Sequence, residues 1–352
     1  MSSISTAYRM CHMRNIRGGE PRFLTSIAIS LACSAIMGCG GSSGSDAAAA
    51  TSDRATLGAR TINVRGNRDL VENSAAVTSV MQPGVIFGIN DSGNDPVLYA
   101  LDTLGRDRGS WVVAGARNVD WEAMSQGPCG TGRAGATDDG SLAQTTPARV
   151  SDSCLFIGDI GDNGSERPSV TLYRVPEPWA TTGSQPGVLR PERVHMSYPE
   201  AKPDVEAMYV AANGDTFLIT KRRMVGADGS VRPALVYRLD ASAWETSDTV
   251  LVELIDSLPI YPGSARGRQV TDAALSHDRR RLAVRTYAEV FVFDVDSISG
   301  RLARGARWWS CPVDQLEEKQ GEGVAWLGSS ILLTSEGRDA PMHVIRCVPP
   351  PP

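Results

Sequence analysis

Three short strand patterns recur in the same order five times along the chain, and this repetition constrains the fold more than any single motif. Each first strand opens with a polar residue followed by a small one: Ser74-Ala75-Ala76, Glu122-Ala123-Met124, Glu206-Ala207-Met208, Asp272-Ala273-Ala274 and Glu322-Gly323-Val324. The second strands are predicted at 85–89, 154–158, 216–220, 281–284 and 331–334, and the third strands at 98–101, 172–175, 236–239, 292–295 and 344–347. Short apolar runs bounded by turn residues predict β-strands.

Repeated groups of antiparallel strands predict an all-β fold, a β-propeller of five blades packed around a central channel. A sixth blade around 188–198 or 250–260 and a generic β-sandwich are the alternatives, because alternation and turns alone do not exclude them. A Gly- and Thr-rich insertion at 127–153 explains the uneven spacing of the repeats. The propeller is predicted to span residues 66–348, with a stiff Pro-rich tail at 349–352.

The N-terminal segment has the pattern of an export signal. Four arginines between residues 9 and 22 precede an uncharged apolar run at 23–37. The run ends in Ile36-Met37-Gly38-Cys39, which resembles the lipobox of bacterial lipoproteins. The sequence therefore predicts a lipoprotein signal peptide at 1–38, a lipid on Cys39 and a flexible tether at 39–65. The predicted location is the bacterial cell envelope, with the membrane as partner through the lipid. An ordinary signal peptide with a chance cysteine is the alternative.

Four cysteines follow the tether, and an even number in an exported protein indicates disulfides. Proximity along the chain favours the pairs Cys129–Cys154 and Cys311–Cys347. A zinc site is the alternative, but these cysteines have no Cys-x-x-Cys spacing and form no ligand-spaced cluster with the histidines.

Several polar strings carry a resemblance to known proteins: Ile89-Asn90-Asp91-Ser92-Gly93-Asn94, Val119-Asp120-Trp121-Glu122-Ala123, Ile157-Gly158-Asp159-Ile160-Gly161-Asp162-Asn163, Tyr173-Arg174-Val175-Pro176-Glu177-Pro178 and Gly321-Glu322-Gly323-Val324-Ala325. Across residues 70–347 the chain resembles poorly characterised bacterial secreted propellers, which are loosely similar to phytase-like and esterase-like propeller proteins. The resemblance to phytase-like propellers implies calcium binding and hydrolysis of phosphate esters. Their ligand set does not map onto this chain residue by residue.

The opening residues of the first strands are candidate metal ligands. If each first strand starts near the axis, its opening residue joins a partial ring made of Glu122, Glu206, Asp272 and Glu322, with Ser74 in the fifth place. Converging carboxylates repel one another and raise their own pKa values. A Ca²⁺ ion, which takes oxygen ligands, would relieve this repulsion and is the candidate cofactor. The structural alternative is that these acids cap backbone amides or pair with arginines of neighbouring blades.

The ends of the second strands supply a candidate ligand-binding set: Asn90, Asp159, Lys221, Arg285 and Glu336. The set mixes acids with two cations. It is therefore suited to an anionic ligand held beside a metal, or to salt bridges that satisfy the acids.

Two functions follow from these residues. The first is an envelope-tethered module that binds an unknown small molecule or protein at the channel, without turnover. The second is a calcium-dependent phosphoesterase, in which the metal activates water while Lys221 and Arg285 hold the phosphate. A nucleic-acid partner is not expected at a net charge of −5. The chain lacks a Gly-x-Ser-x-Gly elbow, a Walker loop and a Rossmann fingerprint, so acyl transfer and nucleotide cofactors are not predicted.

Overall fold

A computed structural model of the protein describes residues 58–64, 69–130, 153–181, 186–199, 202–221, 224–225, 228–262, 266–302 and 305–349. The predicted signal peptide at 1–38, Cys39, most of the predicted tether, residues 131–152 of the predicted insertion and the tail from residue 350 lie outside the described residues. No helix in the described part of the chain is long and apolar enough to cross a membrane.

The described chain is nearly all β, with two short 3-10 helices at Ala241–Glu245 and Arg266–Arg268. The strands, in chain order, are β1 Gly58–Ile62, β2 Asn73–Thr78, β3 Val85–Asn90, β4 Val97–Asp102, β5 Asp107–Val113, β6 Trp121–Pro128, β7 Ser153–Asp159, β8 Val170–Pro176, β9 Gly187–Leu189, β10 Glu192–Ser197, β11 Val205–Val210, β12 Thr216–Thr220, β13 Met224–Val225, β14 Val231–Arg232, β15 Ala234–Leu239, β16 Val250–Leu251, β17 Glu253–Leu258, β18 Val270–Leu275, β19 Arg281–Thr286, β20 Glu289–Asp294, β21 Trp308–Pro312, β22 Gly321–Leu327, β23 Ser330–Ser335 and β24 Met342–Arg346.

Five sheets of four or five strands form the blades. Blade 1 is β2-β3-β4-β5-β9, blade 2 is β6-β7-β8-β10-β16, blade 3 is β11-β12-β15-β17, blade 4 is β18-β19-β20-β21, and blade 5 is β22-β23-β24-β1. The innermost strands β2, β6, β11, β18 and β22 contact one another in this order, and β22 contacts β2. The blades therefore close into a ring, which confirms the predicted five-bladed β-propeller.

The three strand patterns of each repeat form the three inner strands of each blade, as predicted. The two segments considered for a sixth blade form outer strands instead. Residues 188–198 supply β9 and β10, and residues 250–260 supply β16 and β17. Val194 and Met196 of β10 are buried in the cluster between blades 2 and 3, so this strand completes an existing blade.

The ring is closed by an N-terminal strand that the repeats do not predict. Strand β1 pairs antiparallel with β24, from Gly58 opposite Arg346 to Ile62 opposite Met342. Residues 58–62 fall within the predicted tether at 39–65, so the propeller includes residues before its predicted start at 66. Only Ile62 of this strand is buried, and the strand therefore shows no alternation of apolar and polar residues.

Five apolar clusters fill the spaces between neighbouring blades. Phe156 of blade 2 and Met208 of blade 3 lie in one of them, and Trp309 of blade 4 and Trp326 of blade 5 lie in another. Burying a large side chain of this kind stabilises the folded state by roughly 1.5–3 kcal/mol. The packing between blades thus depends on residues from both sides of every interface.

Both predicted disulfides are confirmed. The bond between Cys129 and Cys154 joins the end of β6 to β7 within blade 2. The bond between Cys311 and Cys347 joins the outer strand of blade 4 to the residue after β24 in blade 5. The second disulfide therefore links the blade that closes the ring to its neighbour.

Replacing both Cys311 and Cys347 by alanine should lower the free energy of unfolding by about 3 kcal/mol, because a disulfide over this length of chain restricts the unfolded state. Urea unfolding in a buffer without reductant or added oxidant measures the change in the free energy of unfolding. The comparison is the double alanine variant at Cys129 and Cys154, which should lose slightly less stability, because its disulfide spans a sequence separation of 25 rather than 36. Equal urea midpoints for the Cys311/Cys347 variant and the wild type would contradict the prediction.

Candidate functional site

Every innermost strand carries an irregularity near its start, and these positions define the site. The pairing with the second strand shifts register there in all five blades. A β-bulge bends the strand and re-aims the side chain of the extra residue. The residues skipped by the regular pairing include Ser74, Glu122, Glu206, Thr271 and Glu322.

Two of these bulge positions hold hydroxyl residues that contact the next blade. Ser74 Oγ donates a hydrogen bond to the Trp121 carbonyl at 2.9 Å, and Thr271 Oγ1 donates to the Glu322 carbonyl at 2.9 Å. Thr271, and not Asp272, is therefore the blade 4 counterpart of Glu122.

Asp272 lies one residue further along and binds backbone. Its Oδ1 accepts from Ala273 N at 2.8 Å, and its Oδ2 accepts from Val324 N at 2.8 Å and from Ala76 N at 3.5 Å. The carboxyl group of Asp272 thus accepts hydrogen bonds from backbone amides of three innermost strands, which is the predicted alternative to metal binding. Asp272 does not occupy the bulge position at which Glu122, Glu206 and Glu322 lie.

The three bulge-position glutamates are deeply buried. Glu122, Glu206 and Glu322 are 5%, 1% and 4% exposed. Burial raises the pKa of Glu206 to about 8, although Lys221 lowers it. Burial, and then the charge of Glu206, raise the pKa of Glu122 well above its ordinary value, and burial also raises that of Glu322. Glu206 Oε1 and Glu322 Oε2 are buried and accept no hydrogen bond from the described residues.

One lysine faces these glutamates. Lys221, the residue after β12, lies with its Nζ 2.8 Å from Glu206 Oε2 and 5.9 Å from the ring centre of Tyr287. Burial lowers the pKa of Lys221, but the carboxylates of Glu206 and Glu322 outweigh burial and raise it. Tyr287 donates its hydroxyl hydrogen to Glu322 Oε1 at 3.0 Å. Lys221 and Tyr287 therefore place a cation and a hydroxyl beside the glutamates.

The residue that follows the second strand is the next repeated position of the site. Counted from the bulges, it is Asp91, Ile160, Lys221, Tyr287 and Glu336 in blades 1 to 5. Gln320 Nε2 connects this position to the glutamates by donating to Glu322 Oε1 at 2.6 Å and to Glu336 Oε1 at 2.8 Å. Burial, followed by the charge of Glu322, raises the pKa of Glu336 to about 7.

Three members of the predicted ligand-binding set, Asn90, Asp159 and Arg285, bind other groups of the protein. Asn90 Oδ1 accepts from the amides of Val71 and Glu72 at 3.0 and 2.9 Å. Asp159 Oδ1 accepts from Arg167 at 2.8 Å. Lys221 and Glu336, the other two members, face the buried glutamates.

The side chain of Arg285 is fully buried. It donates to the carbonyls of Gly323 and Thr334 at 2.9 and 2.8 Å and pairs with Glu318. Tyr287, two residues after Arg285, is the residue of blade 4 that corresponds to Lys221 of blade 3. The alignment of the repeats without the bulges therefore placed Arg285 in the wrong register.

A compact group of carboxylates lies beside Glu122. One oxygen each from Asp91, Asp120 and Glu122 lies within 4.8 Å of the other two. Burial, and then the charge of Asp91, raise the pKa of Asp120 to about 6, and burial raises that of Asp91. Gly161 packs against this group so closely that a Cβ at this residue would lie 2.5 Å from Asp120 Oδ2.

The sequence did not predict Asp91 and Asp120 as site residues. Asp91 directly follows a second strand, and Asp120 precedes the bulge residue Glu122 by two positions. If the repeats are aligned on their bulges, Asp91 falls at the position after the second strand, and Asp120 falls at the position that Asp204 and Gln320 occupy in blades 3 and 5. This alignment would have identified both residues. In each of these blades the backbone carbonyl at that place accepts a hydrogen bond from the chain after the second strand.

Comparison with known proteins gives little beyond the architecture. No protein-family model and no curated protein matches the sequence. Among solved structures, the chain is similar to the major allergen Mala s 1 of Malassezia sympodialis, with 12% identity, a TM-score of 0.44 and coverage of 81% of this chain and 95% of that one. It is also similar to the PQQ-bound aldose sugar dehydrogenase of Streptomyces coelicolor, with 8% identity, a TM-score of 0.41 and coverage of 83% and 98%. Matches at this level carry no argument about activity, and the propeller assignment rests on the strand pairing.

The raised carboxyl pKa values predict that, with divalent cations chelated, stability falls as the pH rises from 5 to 8.5. Over this range the folded protein retains protons on Asp120, Glu122 and Glu206 that the unfolded chain has lost, so folding becomes less favourable as they leave. Asp120→Asn should lose roughly 2 kcal/mol less than the wild type over the range, after allowance for the partial exposure of Asp120. Adding Glu122→Gln should reduce the loss further. Urea midpoints at pH 5, 6.5 and 8.5 measure both slopes, and parallel slopes would count against the raised pKa values.

Proposed function

We propose that this protein is a calcium-dependent binding module, with the ion held by Asp91, Asp120 and Glu122. The observation that carries the proposal is that one carboxylate oxygen of each residue lies within 4.8 Å of the others. Two oxygens that bind one Ca²⁺ at its usual distance are at most about 5 Å apart, so the ion fits with little movement.

The charge balance around the cluster supports a bound cation. The two basic side chains whose charges act on the cluster are each paired with another acid, Arg167 with Asp159 and Lys221 with Glu206. No described basic side chain forms an ion pair with Asp91, Asp120 or Glu122. The cluster must therefore take up protons, which the raised pKa of Asp120 reflects, or bind a metal ion.

The groups next to the cluster favour an oxygen-rich ligand. Ca²⁺ takes six to eight oxygen ligands, more than the three carboxylates supply without a ligand or water. A molecule that completes the coordination would meet the ammonium group of Lys221 and the hydroxyl group of Tyr287. Buried glutamate oxygens on Glu206 and Glu322 would accept its hydroxyl hydrogens.

The calcium-dependent phosphoesterase has less support than the binding module. It requires Lys221 and Arg285 to hold a phosphate. Arg285 donates to two backbone carbonyls and to Glu318 inside the protein, which leaves Lys221 as the cation. Hydrolysis of a generic phosphate ester in the presence and absence of calcium distinguishes the two functions, and we expect no calcium-dependent turnover.

Calcium titration of the chain that begins after Cys39 should show binding by calorimetry and a rise in the unfolding temperature. Asp120→Asn should weaken binding at least tenfold, because it removes one charged ligand. Binding at pH 5.5 should also be at least tenfold weaker than at pH 8, because protons compete for Asp120 and Glu122.

The matched control for this titration is Glu317→Gln, which removes an exposed acid outside the cluster and should bind calcium as the wild type does. If calcium neither binds nor changes the unfolding temperature, the metal proposal fails. The buried acids are then structural.

We also propose that the protein is held at the bacterial cell envelope by a lipid on Cys39, following the lipobox pattern of residues 36–39. The full chain expressed in bacteria with labelled palmitate should incorporate the label and fractionate with membranes. Cys39→Ala should abolish labelling, whereas Cys33→Ala, in the same apolar run, should not. Labelling that survives in Cys39→Ala would rule out this anchor.

A further inference from the structure

A groove outside the channel lies at the end of the propeller where the innermost strands finish. Three loops of blades 1 and 2 line it: the turn between β2 and β3, the turn between β4 and β5, and the segment after β8, which contributes Trp179 and Ala180. The groove offers about 430 Å³ to molecules of the size of water. Clefts of about 300–1,000 Å³ hold small organic ligands, so this groove has room for one.

The walls of the groove are apolar and accessible. Leu104 and Trp179 are 56% and 61% exposed, and Met81 and Pro83 line the groove with them. An exposed tryptophan presents a large flat surface on which an aromatic ring or another apolar group packs. A ligand therefore reaches these side chains without displacing any part of the core.

The loop that carries Trp179 is held in place by the buried side chain of Gln82, from the turn between β2 and β3. Gln82 Nε2 donates to the Pro178 carbonyl at 2.9 Å, and Gln82 Oε1 accepts from the Ala180 amide at 2.8 Å. These two bonds lie on either side of Trp179. The position of the tryptophan is therefore set before a ligand binds, which lowers the entropy cost of binding.

Arg108 supplies a cation to the groove from a β-bulge. The pairing of β5 with β4 skips Arg108, which lies between the paired residues Asp107 and Gly109. A bulge bends the strand and re-aims the side chain of the extra residue. The bulge thus accounts for the presence of Arg108 in the lining of the groove.

The guanidinium group of Arg108 has unused hydrogen-bond donors. Its contact with the described protein is one weak bond from Nη2 to the Ala180 carbonyl at 3.5 Å, and its Nε is buried without a partner. Three other described arginines also have a buried Nε without a partner, but each of them pairs with a carboxylate through its terminal nitrogens: Arg174, Arg238 and Arg285. Arg108 thus retains donors for a ligand.

Asp102 places an anion in the same groove. Its Oδ1 accepts from the amides of Leu104 and Arg106 at 2.9 and 3.0 Å, whereas its Oδ2 accepts no hydrogen bond from the described residues. Neither Asp102 nor Arg108 forms an ion pair within the described part of the chain. Among the described residues that line the groove, these two are the charged ones. The groove therefore presents one positive and one negative charge beside apolar walls.

We propose that this groove binds a free amino acid with a large apolar side chain. Its carboxylate binds Arg108, whose guanidinium group is suited to bidentate recognition of a carboxylate. Its ammonium group binds Asp102, and its side chain packs against Trp179. A simple carboxylate would be attracted by Arg108 but repelled by Asp102, and a simple amine the reverse, whereas a zwitterion is complementary to both charges. The site does not rest on the proposed calcium cluster, which lies at the other ends of the innermost strands.

L-Phenylalanine titrated into the chain that begins after Cys39, followed by ligand-observed NMR and calorimetry, tests the proposal. Three related compounds should each bind at least tenfold more weakly. They are 3-phenylpropanoate, which lacks the ammonium group, 2-phenylethylamine, which lacks the carboxylate, and glycine, which lacks the apolar side chain.

Arg108→Gln and Trp179→Ala should each weaken L-phenylalanine binding at least tenfold. Asp102→Asn should also weaken it at least fivefold, because asparagine keeps the oxygen that accepts from the turn amides but lacks the charge. Trp179→Ala should unfold at the same temperature as the wild type, because it removes an exposed side chain. Its loss of binding then does not come from a loss of folded protein.

Arg106→Gln serves as the matched control, because Arg106 is an exposed arginine of the same turn that does not line the groove, and it should leave L-phenylalanine binding unchanged. Asp120→Asn and the calcium-free protein should also bind L-phenylalanine normally, so failure of the calcium proposal and failure of this one are distinguishable. Wild-type affinity in Trp179→Ala or in Arg108→Gln would overturn the proposal. Equal binding of L-phenylalanine and 3-phenylpropanoate would overturn it as well, since Asp102 would then play no part.

Discussion

Closure of the ring by β1 and β24 is the constraint on which the rest of the structure depends. Each blade buries its faces only against its two neighbours, so an open ring would expose the surfaces of two blades. Closure also brings the innermost strands so close that a Cβ at Gly323 would lie 2.9 Å from Ala76 N. At this distance, the carboxyl group of Asp272 reaches amides of β2 and β22 as well as its own strand. The ring thus determines both the stability of the blades and the width of the channel.

The bulges determine which side chains point into this narrow channel. An unbroken ladder would pair every residue of the innermost strand, whereas a bulge leaves one residue per blade free to turn its side chain. Three of these residues are glutamates with little exposure. The pKa of Glu206 rises to about 8 even beside Lys221, which shows that burial outweighs the ion pair. The fold therefore carries an electrostatic cost at this end of the channel, as functional sites commonly do.

The two ends of the channel have opposite chemistry. The end where the innermost strands begin gathers carboxylates around Glu122, and its cations are paired with other acids. The end where these strands finish is lined by alanines and carries Arg279 without a carboxylate partner. Asp272 ties the innermost strands together between the two regions.

The sequence by itself determined the number of blades, the inner strands and both disulfides, because these depend on local apolar patterns and on short separations along the chain. It did not reveal β1, whose mostly exposed residues show no alternation, or the register of the site. Without the bulges, Asp272 aligned with Glu122, and Arg285 aligned with Lys221. Only the tertiary structure decided that Thr271 and Tyr287 occupy those places and that Asp91 and Asp120 join Glu122. The physical reason is that one extra residue in a strand leaves the sequence pattern nearly unchanged but alters which side chains point into the channel.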